Sequence, residues 1–198
     1  MTKHQQIRFI AGNAVLAALV AILTLISNYL AIGPASFNLS LIPIVIGAII
    51  YGPWSGLFLG LVNGGMVMLG AQGFFAMNVA GTILVCLLKT GTAGLVAGFL
   101  YKLIRKANWK VAVVVATISV PVINTSIFCV GALLFFQDAV GVLFTWWLLG
   151  NFGIELAINV VLCPSIIYIV KTVEAKYGIE NNLKDSKEDI TVSVNESK

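Results

Sequence analysis

The sequence predicts an all-α membrane protein: six transmembrane helices in a compact bundle, with both termini cytoplasmic. Three observations predict it. Of 198 residues, 59% are hydrophobic and 10% charged, and the mean hydropathy is +0.99. An ordinary soluble domain is roughly 45–50% apolar and about 25% charged, and a sphere this small cannot hide so much apolar surface from water. Apolar stretches follow one another along the chain, each closed by a Gly-Pro pair, a polar turn or a basic run. The basic residues between them fall on one side of a six-span arrangement. The same composition excludes disordered, collagenous and disulfide-scaffold chains. A net charge of +4 is small and localised, which speaks for orientation in a membrane and against nucleic-acid binding.

A bilayer core of about 30 Å takes roughly 20 helical residues. The first span covers 7–31 and closes at Gly33-Pro34. It follows Lys3 and Arg8 as a signal sequence would, but it is longer than the roughly 7–15 residue core of one, so it reads as retained. A shorter segment, 39–51, stops at Gly52-Pro53, where proline opens a new helix. The third span is 54–69, followed by a turn at Gly70-Ala71-Gln72-Gly73. The fourth runs over 76–104 into the basic run Lys102, Arg105, Lys106 and Lys110, the fifth over 109–136, and the sixth over 142–173. Segments two and three are short, fitting either tilted spans or backbone buried against protein. The chain thus divides into a membrane domain, 1–173, and a polar cytoplasmic tail, 174–198, read as disordered.

Six spans put Lys3, Arg8, the Lys102–Lys110 cluster, Lys171 and Lys176 on one side. The opposite connections, 33–38, 70–75 and 137–140, carry no Lys or Arg and only Asp138. Both termini are therefore expected in the cytoplasm, whereas a five-span chain would split the basic clusters.

Two ionisable side chains remain inside the spans. Lys89 lies about 17–20 Å deep in span four at about 1.5 Å per residue, and Glu155 falls at a similar depth in span six. Such charges pair with each other or line a polar cavity. A Lys89–Glu155 ion pair and ligand contact are both open, and a pair can also form the floor of a site. Asn151, Glu155 and Asn159, spaced i, i+4, i+8, stack on one helical face. Asn63, Asn78 and Asn124, the last followed by Thr125 and Ser126, fall in the outer half by the same counting. Interhelical hydrogen bonding is the plain role of any one asparagine. Their convergence in one layer suggests instead a polar pocket open to the outside. Phe37, Phe74, Phe75, Trp146 and Trp147 either close that pocket or form an interfacial belt, the belt being the reading for the tryptophans.

On the cytoplasmic half, Ala14, Ala17, Ala18 and Ala21 give overlapping A-x-x-x-A patterns that admit a close helix. Gly56, Gly60 and Gly64, with Gly91, Gly94 and Gly98, suit internal packing equally well. Three dispersed cysteines, Cys86, Cys129 and Cys163, read as small buried hydrophobes, and no metal-ligand cluster is present. There is no G-x-x-x-x-G-K-[ST] phosphate loop, H-E-x-x-H or G-x-S-x-G motif, so neither an enzyme nor a cofactor is expected. Two matching halves are not seen either, which disfavours an inverted-repeat transporter. A small bundle with an outward pocket and no energy source looks like a capture subunit that depends on partners.

These residues resemble the substrate-binding S components of energy-coupling factor (ECF) vitamin transporters, over 9–173. The stretch Phe37-Asn38-Leu39-Ser40-Leu41-Ile42-Pro43, followed by Gly47 to Gly56 with its Gly52-Pro53 corner, is similar to that family's second and third helices. Ala14-x-x-x-Ala18 matches its alanine motif, and the stretches beginning at Pro121 and at Asn151 are similar to those of a vitamin-type subgroup. The resemblance implies a multi-pass S component of a prokaryotic cell membrane, in contact with lipid. It also implies substrate capture near the outer face, a lid over 32–38 that includes Phe37 and Asn38, and docking through Ala14 and Ala18 on a transmembrane coupling subunit. Two cytoplasmic ATPases supply the energy, as in ABC transporters, and the loaded component topples to release substrate inward. The substrate-binding set is then Asn63, Asn78, Lys89, Asn124, Asn151, Glu155 and Asn159.

A riboflavin-type acidic residue is absent from 38–41, which lowers the case for a flavin. Lys89 suits a carboxylate and the asparagines with Glu155 suit hydroxyls and an amide, so pantothenate is favoured over riboflavin and other vitamins. Two other classes compete. One is a self-sufficient secondary transporter or channel with Lys89 and Glu155 as a relay, and the other is a ligand-free assembly subunit.

Overall fold

The computed structural model describes residues 3–29, 38–137, 140–143, 150 and 152–173. All regular structure among them is helical: α1 (Lys3–Tyr29), α2 (Leu41–Ile50), α3 (Pro53–Met68), α4 (Gln72–Met77), α5 (Val79–Ile104), α6 (Trp109–Phe135), the short α7 (Val140–Leu143) and α8 (Phe152–Val173). Among the described residues, four segments are long and apolar enough to cross a membrane: Phe9–Tyr29 within α1, then α5, α6 and α8. The chain is a membrane protein. Its tail, 174–198, lies outside the described residues.

The two short expected segments have different fates. Helix α2 has 10 residues, about 15 Å of rise and half a bilayer core. Seven of its residues, among them Leu41, Ile44, Val45 and Ala48, are buried, so α2 is a central post packed by α1, α3, α5 and α6. Ile166 and Val170 of α8 join the same core. Of the two readings of a short apolar segment, burial against protein is the one α2 adopts. Helix α3 has 16 residues and reverses direction at Gly52, whose φ of 98° lies where side-chain-bearing residues are strained. Pro53 at the first helical position gives up an N–H that would have no partner there.

Helix α3 is fastened to α5 by glycines. A Cβ on Gly60 would stand 2.2 Å from the Thr90 carbonyl oxygen, and one on Gly56 2.3 Å from that of Gly94. On Gly64 it would meet the Cys86 carbonyl oxygen at 2.6 Å, and on Gly98 the Cα of Pro53 at 2.5 Å. The pairs step by one turn along antiparallel helices, so backbone lies on backbone over the length of α3. Thr90 Oγ1, within reach of Gly60 O at 2.6 Å and Cys86 O at 3.0 Å, ties the two together. The G-x-x-x-G patterns therefore serve internal packing.

Two boundaries are set by asparagines. Asn108 caps α6, its Oδ1 accepting from Lys110 N at 3.0 Å. The expected continuous helix from residue 76 is instead broken. Asn78 is extended at φ −155° and caps α5 by accepting from Gly81 N at 2.8 Å, which separates α4 from α5. The sixth span, expected over 142–173, is described as α8 from Phe152, with 144–149 outside the described residues.

Candidate substrate site

The site is built where the N-terminal end of α2 meets the polar face of α1 and the facing sides of α3, α6 and α8. Asn13, Val20, Thr24 and Ser27 form the buried stripe of α1. Their offsets of 7, 11 and 14 residues from Asn13 keep them on one face. Thr24 Oγ1 lies 2.7 Å from Val20 O and 2.8 Å from Asn63 Oδ1 on α3. Ser40, entering α2, approaches the same Asn63 Oδ1 at 2.7 Å and also hydrogen-bonds Asn38 Oδ1. Ser27 Oγ accepts from Leu39 N at 3.2 Å, holding the start of α2 against α1.

From Asn38 the network crosses to α8. The Glu155 carboxyl faces the backbone N–H of Asn38 and the side-chain amide of Asn124 on α6, and it lies within the field of Lys89 on α5. One turn along α8, Asn159 Nδ2 donates to Glu155 O at 2.8 Å. Thr24, Asn63, Ser40, Asn38, Glu155, Asn124 and Asn159 are thus joined by successive contacts across four helices and the connection that enters α2. Asn63, Asn124, Glu155 and Asn159 are 0%, 5%, 5% and 1% exposed. One polar atom on each is nevertheless unmatched among the described residues: Asn63 Nδ2, Asn124 Oδ1, Glu155 Oε2 and Asn159 Oδ1. Buried polar groups in folded proteins are almost always paired, and leaving one unmade costs about 1–3 kcal/mol. Four in one connected patch mark a place prepared for something else.

Lys89 borders this patch under an aromatic roof. Its Nζ lies 5.3 Å from the centroid of the Phe128 ring. Phe128 and Phe136 both meet Phe74 edge to face, at 6.1 Å and 5.1 Å. The ammonium therefore rests on a ring face, a favourable place for a desolvated cation.

Of the expected site residues, Asn63, Asn124, Glu155, Asn159 and the lid residue Asn38 come together, with Lys89 beside them. Asn78 caps α5 through its Oδ1, and no hydrogen bond joins it to this network among the described residues. Asn151, Phe37, Trp146 and Trp147 lie outside the described residues. Glu155 sits near the start of the described part of α8, Phe152–Val173, and residues 144–149 and 151 before it lie outside the described residues. Ala14 and Ala18 are exposed, among the apolar side chains Val15, Leu19 and Ile22 on the outer face of α1.

Thr24, Ser27 and Ser40 were not singled out from the sequence. Their signal was there: Thr24 and Ser27 share the heptad face of Asn13, and Ser40 sits two residues from Asn38. Hydroxyl residues in apolar helices are easily passed over, because they can satisfy themselves on their own backbone one turn back.

Comparison with known families gives a match to the ECF transporter, substrate-specific component, over residues 8–169. No curated protein and no solved structure matches the chain.

Proposed function

The chain belongs to the substrate-specific components of ECF transporters, and from that premise we propose that it captures a vitamin or related micronutrient at this polar network, pantothenate before the others. The observation that carries the reading is the set of four buried, unmatched polar atoms in one network inside an apolar bundle. As a subunit of an ECF transporter, the chain binds a small molecule and works with other transporter components. In the proposed arrangement Lys89 meets the substrate carboxylate, while Asn63, Asn124, Glu155 and Asn159 meet hydroxyls and the amide. Phe37 and Asn38 belong to the lid.

Ala14 and Ala18 offer the coupling subunit a surface with little side chain in the way, and two cytoplasmic ATPases drive the cycle. One-sided basic residues support a multi-pass placement in a prokaryotic cell membrane with cytoplasmic termini. Family membership disfavours the self-sufficient transporter or channel, which requires flux by the chain alone.

The test is a thermal-shift and calorimetric panel of vitamins on the purified full chain, followed by uptake in liposomes with and without coupling subunit and ATPases. Binding of one vitamin and uptake only with the full complex are expected. Ala14→Trp or Ala18→Trp should leave binding intact and abolish co-purification and uptake. Flux by the chain alone, or silence across the panel, contradicts the proposal.

A further inference from the structure

The wall that α6 and α8 give this site is made of acceptors. Asn159 Nδ2 donates to a backbone carbonyl, which has no proton to give, so the amide cannot be reversed and its oxygen is the unmatched end. Asn124 Oδ1 is likewise buried and unmatched, and the amide's contact with the Glu155 carboxyl falls to Nδ2 when that carboxyl is ionised. Glu155 Oε2 is the third unmatched oxygen, an acceptor while the carboxyl is ionised. Asn63 does not change this count. The Thr24 and Ser40 hydroxyls each carry one proton and have second acceptors in Val20 O and Asn38 Oδ1, so the Asn63 amide keeps one unmatched end in either orientation. The cation facing this wall, Lys89, stands aside on the Phe128 ring.

We infer that the substrate presents a donor-rich edge, two or three neighbouring hydroxyl or N–H groups, to Asn124, Glu155 and Asn159, and turns its acceptor or anionic group toward Lys89. This rests on the network being the substrate site. It adds a rule of selection: a molecule of the same shape with acceptors or bare carbon along that edge is rejected. A site built to meet donors discriminates strongly against analogues lacking them, because its own buried groups are then left unpaired.

The experiment titrates the full chain in nanodiscs with five probes. Pantothenate, riboflavin and pyridoxine are rich in hydroxyl or N–H donors, while nicotinate and lipoate, as anions, have none. Binding is expected among the first three only. Removing one wall-facing hydroxyl as the deoxy analogue of the bound probe should weaken it about tenfold or more. Equal binding of nicotinate or lipoate, or deoxy analogues that all bind within about twofold of the parent, overturns the inference while leaving a vitamin site in place.

Silence from all five probes counts against the proposed substrate class, and a measurement without ligand then decides. Asn159→Leu removes an unmatched oxygen together with one amide hydrogen bond to Glu155 O, and the gain from the first offsets the loss of the second, so the empty protein should melt within about 2 °C of wild type or above it. A fall of more than about 5 °C, more than one such hydrogen bond is worth, would mean that the oxygen has a partner in the folded chain, and the acceptor wall is refuted.

Discussion

The α3–α5 seam and the network around Asn63 are equally buried and chemically opposite. Along the seam, glycines bring backbone onto backbone, and the Thr90 hydroxyl finds an acceptor on each helix. Around Asn63, Asn124, Glu155 and Asn159 polar side chains meet instead, and each of those four residues keeps an atom unmatched among the described residues. In a membrane, where lipid is as apolar as the core, close packing and satisfied polar groups hold helices together. The seam does that work. The network gives up part of it, as the proposed binding site requires.

The comparison is most easily broken at the seam. Gly60→Leu drives a side chain into the Thr90 backbone, which cannot yield without parting α3 from α5. The loss should exceed about 3 kcal/mol and appear as failure to recover folded protein, whereas Gly65→Ala, with open space at its Cβ, should be neutral. Asn63→Leu comes next: it removes the hub shared by Thr24 and Ser40. Substrate affinity should fall about 100-fold by calorimetry, more than the fold is weakened.

A matched pair of substitutions sharpens the contrast. Thr90→Val should lower stability by about 1 kcal/mol and leave affinity unchanged, while Thr24→Val should weaken binding several-fold with little change in melting temperature. Smallest on binding is Asn78→Ala, which removes a helix cap, costs about 0.5–2 kcal/mol in stability and leaves affinity within about twofold of wild type.

How much of this was legible follows from the physics of each signal. The spans over α1, α5 and α6 follow from hydropathy, and the α3 start from Gly52-Pro53, because length, apolarity and proline geometry are local properties. The role of α2 was open, since an apolar run of its length fits a tilted span or a buried post, and only its neighbours decide. The break at Asn78 escaped because an asparagine inside an apolar run gives no local sign of a boundary until its side chain is seen capping the next helix. Asn63, Asn124, Glu155 and Asn159 stood out because a polar amide or carboxyl in lipid demands a reason. Thr24, Ser27 and Ser40 did not, since a hydroxyl can serve its own helix. That the polar residues form one chain of contacts through Asn38 is tertiary information, invisible to spacing within any one helix.

The central claim is that the buried network is the substrate site. Its most direct measurement is equilibrium binding of the vitamin identified in the panel to wild type and Glu155→Gln, in the full chain with melting temperature recorded alongside. The account predicts saturable one-site binding to wild type, weakened about tenfold or more in Glu155→Gln, with the fold intact. Equal affinity in the two proteins would contradict it.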